Sequence, residues 1–320
     1  MKQITLRLAM ILGALVIVFL SIGRFFDSRC EGVSCIEQTF NSSVAQNGGN
    51  FSFHFGDHDD PSGIGHDDID EMIDGEGSEV DAELPPTEDV DSIEIRSVST
   101  KWIVRSVPGK LAVRFHEVRL KKWTISKDGK KLVIDVKPSG AQSADLDLPE
   151  AFKGSLRIGT ISGTIDLGDK IAWSELMLNT ASGDVTVNSW PSSKLEINTV
   201  SGEVRTPEGI SGASPKDIVL QSVSGDFDVN FPSAFESLSA HTVSGGVRLK
   251  IPKTLEYTYD LHSVSGDFEG MPKGGTVNEG FGNKEMKGST SEGNSVKAKI
   301  AFDSVSGDFE LNAGDAVGSR

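Results

Sequence analysis

A Thr/Ser-x-Ser-Gly unit that returns about every 20 residues leaves this chain very few architectures. Its glycines are Gly163, Gly183, Gly202, Gly225, Gly245, Gly266 and Gly307, separated by 20, 19, 23, 20, 21 and 41 residues. A Thr or Ser stands three residues before each one: Thr160, Thr180, Thr199, Ser222, Thr242, Ser263 and Ser304. An apolar β-former follows closely, as at Val185, Val204, Phe227, Val247, Phe268 and Phe309. A fixed period of this length marks a stacked repeat, in which one unit cannot bury its apolar face alone and its neighbours bury it instead. The final step is close to two periods, which predicts a copy that has lost its signature around Gly280 to Gly288.

Within one unit, Leu176, Leu178 and Thr180 share one parity and Val185 and Val187 the other. Side chains alternate faces along a strand, so an apolar set that changes parity needs a bend between its halves. The turn motif sits at that bend: Ser182-Gly183-Asp184, Ser224-Gly225-Asp226, Ser265-Gly266-Asp267 and Ser306-Gly307-Asp308. Glycine tolerates positive φ or close backbone approach, and Asp or Ser can satisfy turn amides. Each coil is therefore strand, corner, strand and a looser return such as Trp190-Pro191-Ser192-Ser193. The serines before the glycines read as an internal hydrogen-bonded column, since a buried hydroxyl needs a partner. No base recurs beside them, so no catalytic residue is assigned. The Asp column reads as turn capping. Its spacing lacks the dense Gly-Gly-x-Gly-x-Asp repeat of calcium β-rolls, and neither metal nor cofactor is expected.

Ahead of the repeats, Ile93, Ile95 and Ile103, then Leu111-x-Val113-x-Phe115, alternate as strands do. Trp123-x-Ile125 and Leu132-x-Ile134-x-Val136 flank Asp128-Gly129, a hairpin turn signal. The lysines around that turn read as a solvated edge that resists aggregation.

Leu8 to Gly23 is an unbroken apolar run behind Lys2 and Arg7. With Phe25 and Phe26 at the interface it reaches the lower limit for a spanning helix, about 17 residues. Only Ser21-x-Gly23 resembles a cleavage site. A retained single-pass anchor is the favoured reading and a cleaved signal peptide the alternative. Either exports the remainder, to the periplasm or cell surface. Cys30 and Cys35 follow, close enough for a local disulfide that would constrain little.

From Cys30 to Ile95 there are 18 acidic residues and no Lys or Arg, so against a total of −16 everything else sums to −16 + 18 = +2. Residues 27–90 thus read as an acidic disordered linker that repels itself, between a membrane segment (1–26) and a folded body (91–320). His54, His58 and His66 lie among its aspartates without calcium-loop spacing, and read as solvated. Nucleic acid is excluded as a partner, because no basic patch exists to meet phosphate.

The copies at Asn179–Val187, Asn198–Val204, Gln221–Val229, His241–Leu249, His262–Phe268 and Asp303–Leu311 resemble the bacterial "putative adhesin" family, a domain of unknown function. That family repeats Thr-x-Ser-Gly-Asp-x-x-Val behind a membrane segment, and the likeness runs from about Asp91 to Leu311. The resemblance implies an all-β, right-handed β-solenoid, a single-stranded β-helix of coils near 20 residues. It offers no catalytic residues. The expected function is a non-enzymatic, membrane-tethered solenoid for adhesion or for contact with an envelope polymer or protein. A carbohydrate-active β-helix enzyme and an envelope-stress sensor are the alternatives. A protruding loop is expected between Met271 and Lys297, where the motif lapses.

Overall fold

The computed structural model describes residues 78–314 apart from 83, 119–121, 139, 172, 208–209, 211–213, 274, 281–282 and 291–297. The apolar run Leu8–Gly23, both cysteines and the acidic stretch up to residue 77 lie outside the described residues. Among them no helix is long and apolar enough to cross a membrane.

The described residues are all β, with one 3-10 turn among them at Thr87–Asp89. Numbered along the chain, the first strands are β1 (Ser78–Ala82), β2 (Ser92–Ser97), β3 (Lys101–Val107), β4 (Ala112–Val118), β5 (Trp123–Asp128), β6 (Lys131–Val136) and β7 (Ser143–Pro149). The repeats supply pairs on either side of each corner: β8 (Ser155–Thr160) and β9 (Ile165–Leu167), β10 (Glu175–Thr180) and β11 (Val185–Val187), β12 (Lys194–Thr199) and β13 (Val204–Arg205). The same pattern continues through β14 (Asp217–Ser222) and β15 (Phe227–Asn230), β16 (Ser237–His241) and β17 (Val247–Pro252), β18 (Tyr257–Ser263) and β19 (Phe268–Glu269). A hairpin, β20 (Thr276–Gly280) and β21 (Asn283–Ser289), precedes the last pair, β22 (Ala298–Ser304) and β23 (Phe309–Gly314).

Strands before the corners lie in a 12-stranded sheet and those after them in an 11-stranded sheet. Between the sheets lies one continuous core. Leu156, Leu176, Leu195, Ile218 and Leu238 stack along one wall, and Ile165, Val185, Val204, Phe227 and Val247 along the other, all nearly inaccessible. The change of parity at each corner is what turns both apolar sets inward. Return loops add aromatic plugs: Trp190 stacks on Phe231 at 5.0 Å and its Nε1 donates to the Asn230 carbonyl.

The coils do not stack in simple chain order. In the 12-stranded sheet β22 lies between β16 and β18, and β2 lies between β6 and β8. In the other sheet β23 lies between β17 and β19, and β3 between β7 and β9. Seven coils therefore follow one another in sequence (β2–β3, β8–β9, β10–β11, β12–β13, β14–β15, β16–β17, β22–β23), and two excursions fold over the ends. The first, β4 to β7, covers β2–β3. The second, β18 to β21, covers β22–β23. The long step before Gly307 is thus an inserted cap rather than a worn copy: Gly280 and Gly288 belong to the hairpin, whose β21 pairs antiparallel with β18. Because the inserted coil at Gly266 carries the same corner, it can extend the stack from outside.

The residues read as linker also contribute. Ser78–Ala82 pairs as β1 with β4 at the edge of the 11-stranded sheet, held by Arg114 to Asp81 at 2.8 Å. The Asp128-Gly129 turn joins β5 to β6 as expected, with Gly129 at φ 58°. Gly129 is one of the positions where a left-handed conformation is required.

On the outer face of β2 the Glu94 side chain is 4% exposed beneath Arg96 and Lys131. Burial alone would raise its pKa, but hydrogen bonds from Lys131 and Arg96 prevail and hold the carboxyl below its ordinary value. A carboxyl depressed on folding contributes stability above the unfolded carboxylate range, about 4.3, and loses it as pH falls through the folded value. Glu94→Gln is expected to cost about 1–3 kcal/mol at neutral pH. It should also lose less than wild type between pH 6 and pH 3, compared by urea midpoints.

Candidate functional site

The corners determine what the surface can present. In every repeat the Thr or Ser three residues before the glycine is buried, on the core side with the preceding apolar residues. In most repeats its hydroxyl accepts from the glycine amide, as Thr180 Oγ1 does from Gly183 at 2.8 Å and Thr199 Oγ1 from Gly202 at 2.9 Å, while Ser222 Oγ donates to the Gly225 carbonyl at 2.7 Å. The glycine then nests against the coil before it: a Cβ on Gly183 would run into the carbonyl oxygen of Gly163, and one on Gly202 into that of Gly183. Close approach, with no positive φ, is what these glycines supply. The internal hydroxyl column is therefore made by the Thr/Ser positions, and the serines next to the glycines are exposed, contrary to the sequence reading. Those serines still form a ladder, on the outside. Ser182, Ser201, Ser224, Ser265 and Ser306 each donate to a backbone carbonyl of an adjacent coil at 3.2–3.4 Å.

The aspartates lie on the same exterior edge. Asp184 Oδ1 accepts from the Glu203 amide at 3.0 Å, Asp226 from Gly246 at 2.7 Å, and Asp308 from Asp267 at 2.8 Å. Each carboxylate caps the next coil in space, which is why repulsion along the column is tolerated. The Asp267 side chain also takes Lys284 of the hairpin at 2.7 Å. Replacing Thr180 by Val leaves the buried Gly183 amide without its acceptor, at an expected cost of about 1–3 kcal/mol, with Thr180→Ser close to neutral. Chemical denaturation of the three proteins side by side checks this.

One corner escaped the sequence pattern. Ser97-Val98-Ser99-Thr100 occupies the corner of the first coil, with Thr100 where later coils have glycine: a Cβ on Gly163 would meet the Thr100 carbonyl oxygen. Thr100 can be larger because its neighbour on the other side, Ala141, belongs to the cap and accepts its hydroxyl at 3.1 Å.

The second cap gathers the densest set of chemically capable side chains. His262 on β18 sits with Nε2 2.6 Å from Asp260 Oδ1 and Nδ1 3.8 Å from Glu285 Oε1 on β21. These three have donor atoms mutually within 4.8 Å, the beginnings of a divalent-cation site. Lys287 already fills the cationic role, with Nζ 2.8 Å from Glu285 and 3.2 Å from Asp260. Those carboxylates, Glu285 first, raise the Lys287 pKa, so the ammonium stays charged. The arrangement is best described as an ion cluster fastening the hairpin to β18. Beside it β20 is a fully exposed edge strand, with Val277 46% exposed. The lapse in the motif pointed to this region, but a loop was expected and a paired hairpin is found. Asp260, Glu285 and Lys287 had no sequence signal, since their meeting depends on the hairpin's antiparallel register.

The Toastrack DUF4097 family model matches residues 86–312. No curated protein matches the chain. Among solved structures, a "putative cell adhesion protein" from Clostridium sporogenes ATCC 15579 is similar at 12% identity and TM-score 0.34, over 74% of this chain and all of that one.

Proposed function

Because the chain belongs to the Toastrack DUF4097 family, we propose that it works as a membrane-tethered, extracytoplasmic β-solenoid that holds a binding tip away from the cell membrane for adhesion or envelope contact. In this reading Leu8–Gly23 is a retained anchor, the acidic stretch is the tether, and the coils wind right-handed as parallel crossovers do. The supporting observation is the polarity of the rod. The chain joins the body at β1, against the first cap, while the second cap lies at the opposite end of the stack. Eleven strand spacings separate the edges of the 12-stranded sheet, on the order of 50 Å. The second cap would be the distal end, with its open edge strand and exposed Val277. The recurrent corner residues are consumed by hydrogen bonds within the stack, so they support reach rather than recognition.

Full-length protein immobilised through its N-terminus should retain a component of isolated envelope fractions. Capture should fall when β20 is blunted by Val277→Asp and Asn278→Pro, and survive chelation of calcium. No capture from any fraction, or capture indifferent to those changes, would overturn the reading.

A further inference from the structure

We infer that Ser239, His241 and Asp303 form a hydrolytic constellation on the outer face of the 12-stranded sheet, with Ser239 as a nucleophile toward short-chain acyl esters. This goes beyond the binding role proposed above and involves no residue of the corner motif.

On β16, Leu238 and Ala240 point into the core, and Ser239 and His241 stand on the outer face. Ser239 Oγ is 2.8 Å from His241 Nε2. The other ring nitrogen, Nδ1, is 3.4 Å from Asp303 Oδ2 on β22. A hydroxyl against one imidazole nitrogen and a carboxylate against the other is the arrangement by which a serine is activated, recognised by geometry and roles rather than by order in the chain. The carboxylate favours the tautomer with hydrogen on Nδ1, leaving the Nε2 lone pair to take the serine proton. The interleaved coil creates the set: His241 faces Asp303 only because β22, and not β18, lies beside β16. With coils in simple order His241 would face His262 instead.

The neighbourhood suits attack. Ser239 is flanked across the sheet by Val219 and Ala301, short apolar neighbours that would suit a small acyl group. Lys299 stands opposite Ser237 on the same outer face, two residues along β22 from Ala301, where its ammonium would supply positive charge for a developing oxyanion. In the reaction Ser239 Oγ bonds to the ester carbonyl carbon as its proton passes to His241 Nε2. The bond from acyl carbon to alkoxy oxygen then breaks, and the leaving alcohol takes that proton. Water repeats the sequence on the acyl-serine, releasing the carboxylic acid and restoring the hydroxyl. Ser239 and His241 are the catalytic residues, and Asp303 is a positioning residue.

The test treats the full-length protein with a biotinylated alkyl fluorophosphonate, maps the labelled peptide by mass spectrometry, and follows p-nitrophenyl acetate hydrolysis in parallel. The expected result is one label, at Ser239, with turnover abolished in Ser239→Ala and reduced about a hundredfold in His241→Gln. Asp303→Asn should slow both readouts and Asp303→Glu should restore part of the rate, which a purely structural role would not produce. Labelling spread over the corner serines, no labelling, or turnover unchanged in Ser239→Ala would each overturn the inference. Should a variant fail to fold, the map of the labelled site in the unaltered protein decides alone.

Discussion

Gly183→Ala is expected to destabilise the body by about 3 kcal/mol or more, the upper end for forcing extra atoms into a packed interior. The added methyl would collide with the carbonyl oxygen and carbon of Gly163 and press on Thr180 Oγ1. A side chain could rotate away, but a backbone carbonyl wedged between two stacked coils cannot. Relief requires the coils to part, which breaks pairing in both sheets on either side of the corner. Gly202→Ala and Gly225→Ala should behave alike, because each would meet the carbonyl of the preceding glycine in the column. Gly280→Ala is the internal control, since nothing lies within 4 Å of the new methyl. It should be neutral or slightly stabilising. Urea midpoints of the four variants measure the contrast, and a Gly183→Ala protein as stable as Gly280→Ala would show that the corners are looser than their geometry indicates.

The second large effect is expected at Phe302, which is fully buried in the last sequential coil. Its ring lies 5.1 Å from Phe309 and meets Phe268 edge-on at 6.2 Å, so it touches both its own coil and the cap. Phe302→Ala should cost about 3–5 kcal/mol, the range for deleting a buried aromatic ring. The loss should also be local in its first consequence. Amide exchange should accelerate in β18 to β21 at denaturant concentrations that leave β10 to β14 protected, because the cap rests on the coil that the ring fills. Val277→Ala, at a largely exposed position, should change stability by no more than about 0.5 kcal/mol.

The repeat made the coils legible from sequence, and with them the corner, the parity change and the inward set of Leu, Ile, Val and Phe. The first coil was missed because Thr100 stands in for glycine, a substitution that only a cap on one side permits. Which hydroxyl faces inward was in fact readable: Thr180 shares the parity of Leu176 and Leu178, and that parity is the core side. The column of serines drew attention because it is more constant, yet its constancy serves an exterior ladder. What could not be read is the order of stacking. Ser222–Phe227, Ser263–Phe268 and Ser304–Phe309 have the same six residues, Ser-Val-Ser-Gly-Asp-Phe. Nothing local tells the coil at Gly266 to stay outside the coil at Gly307. The cluster at Asp260 and the pairing of His241 with Asp303 depend on that order, so both were hidden with it.

Closing each end with an excursion that starts and finishes inside the stack has a consequence for length. Among the described residues the caps pair with the first and last sequential coils, and the coils between them pair with one another in the same way. Whole units can therefore be duplicated or deleted in the middle of the gene without redesigning either terminus. Repeating residues 194–216 should yield a folded body longer by one strand spacing, about 4.8 Å, with both ends intact. A protein built this way has a reach that can be adjusted in fixed increments.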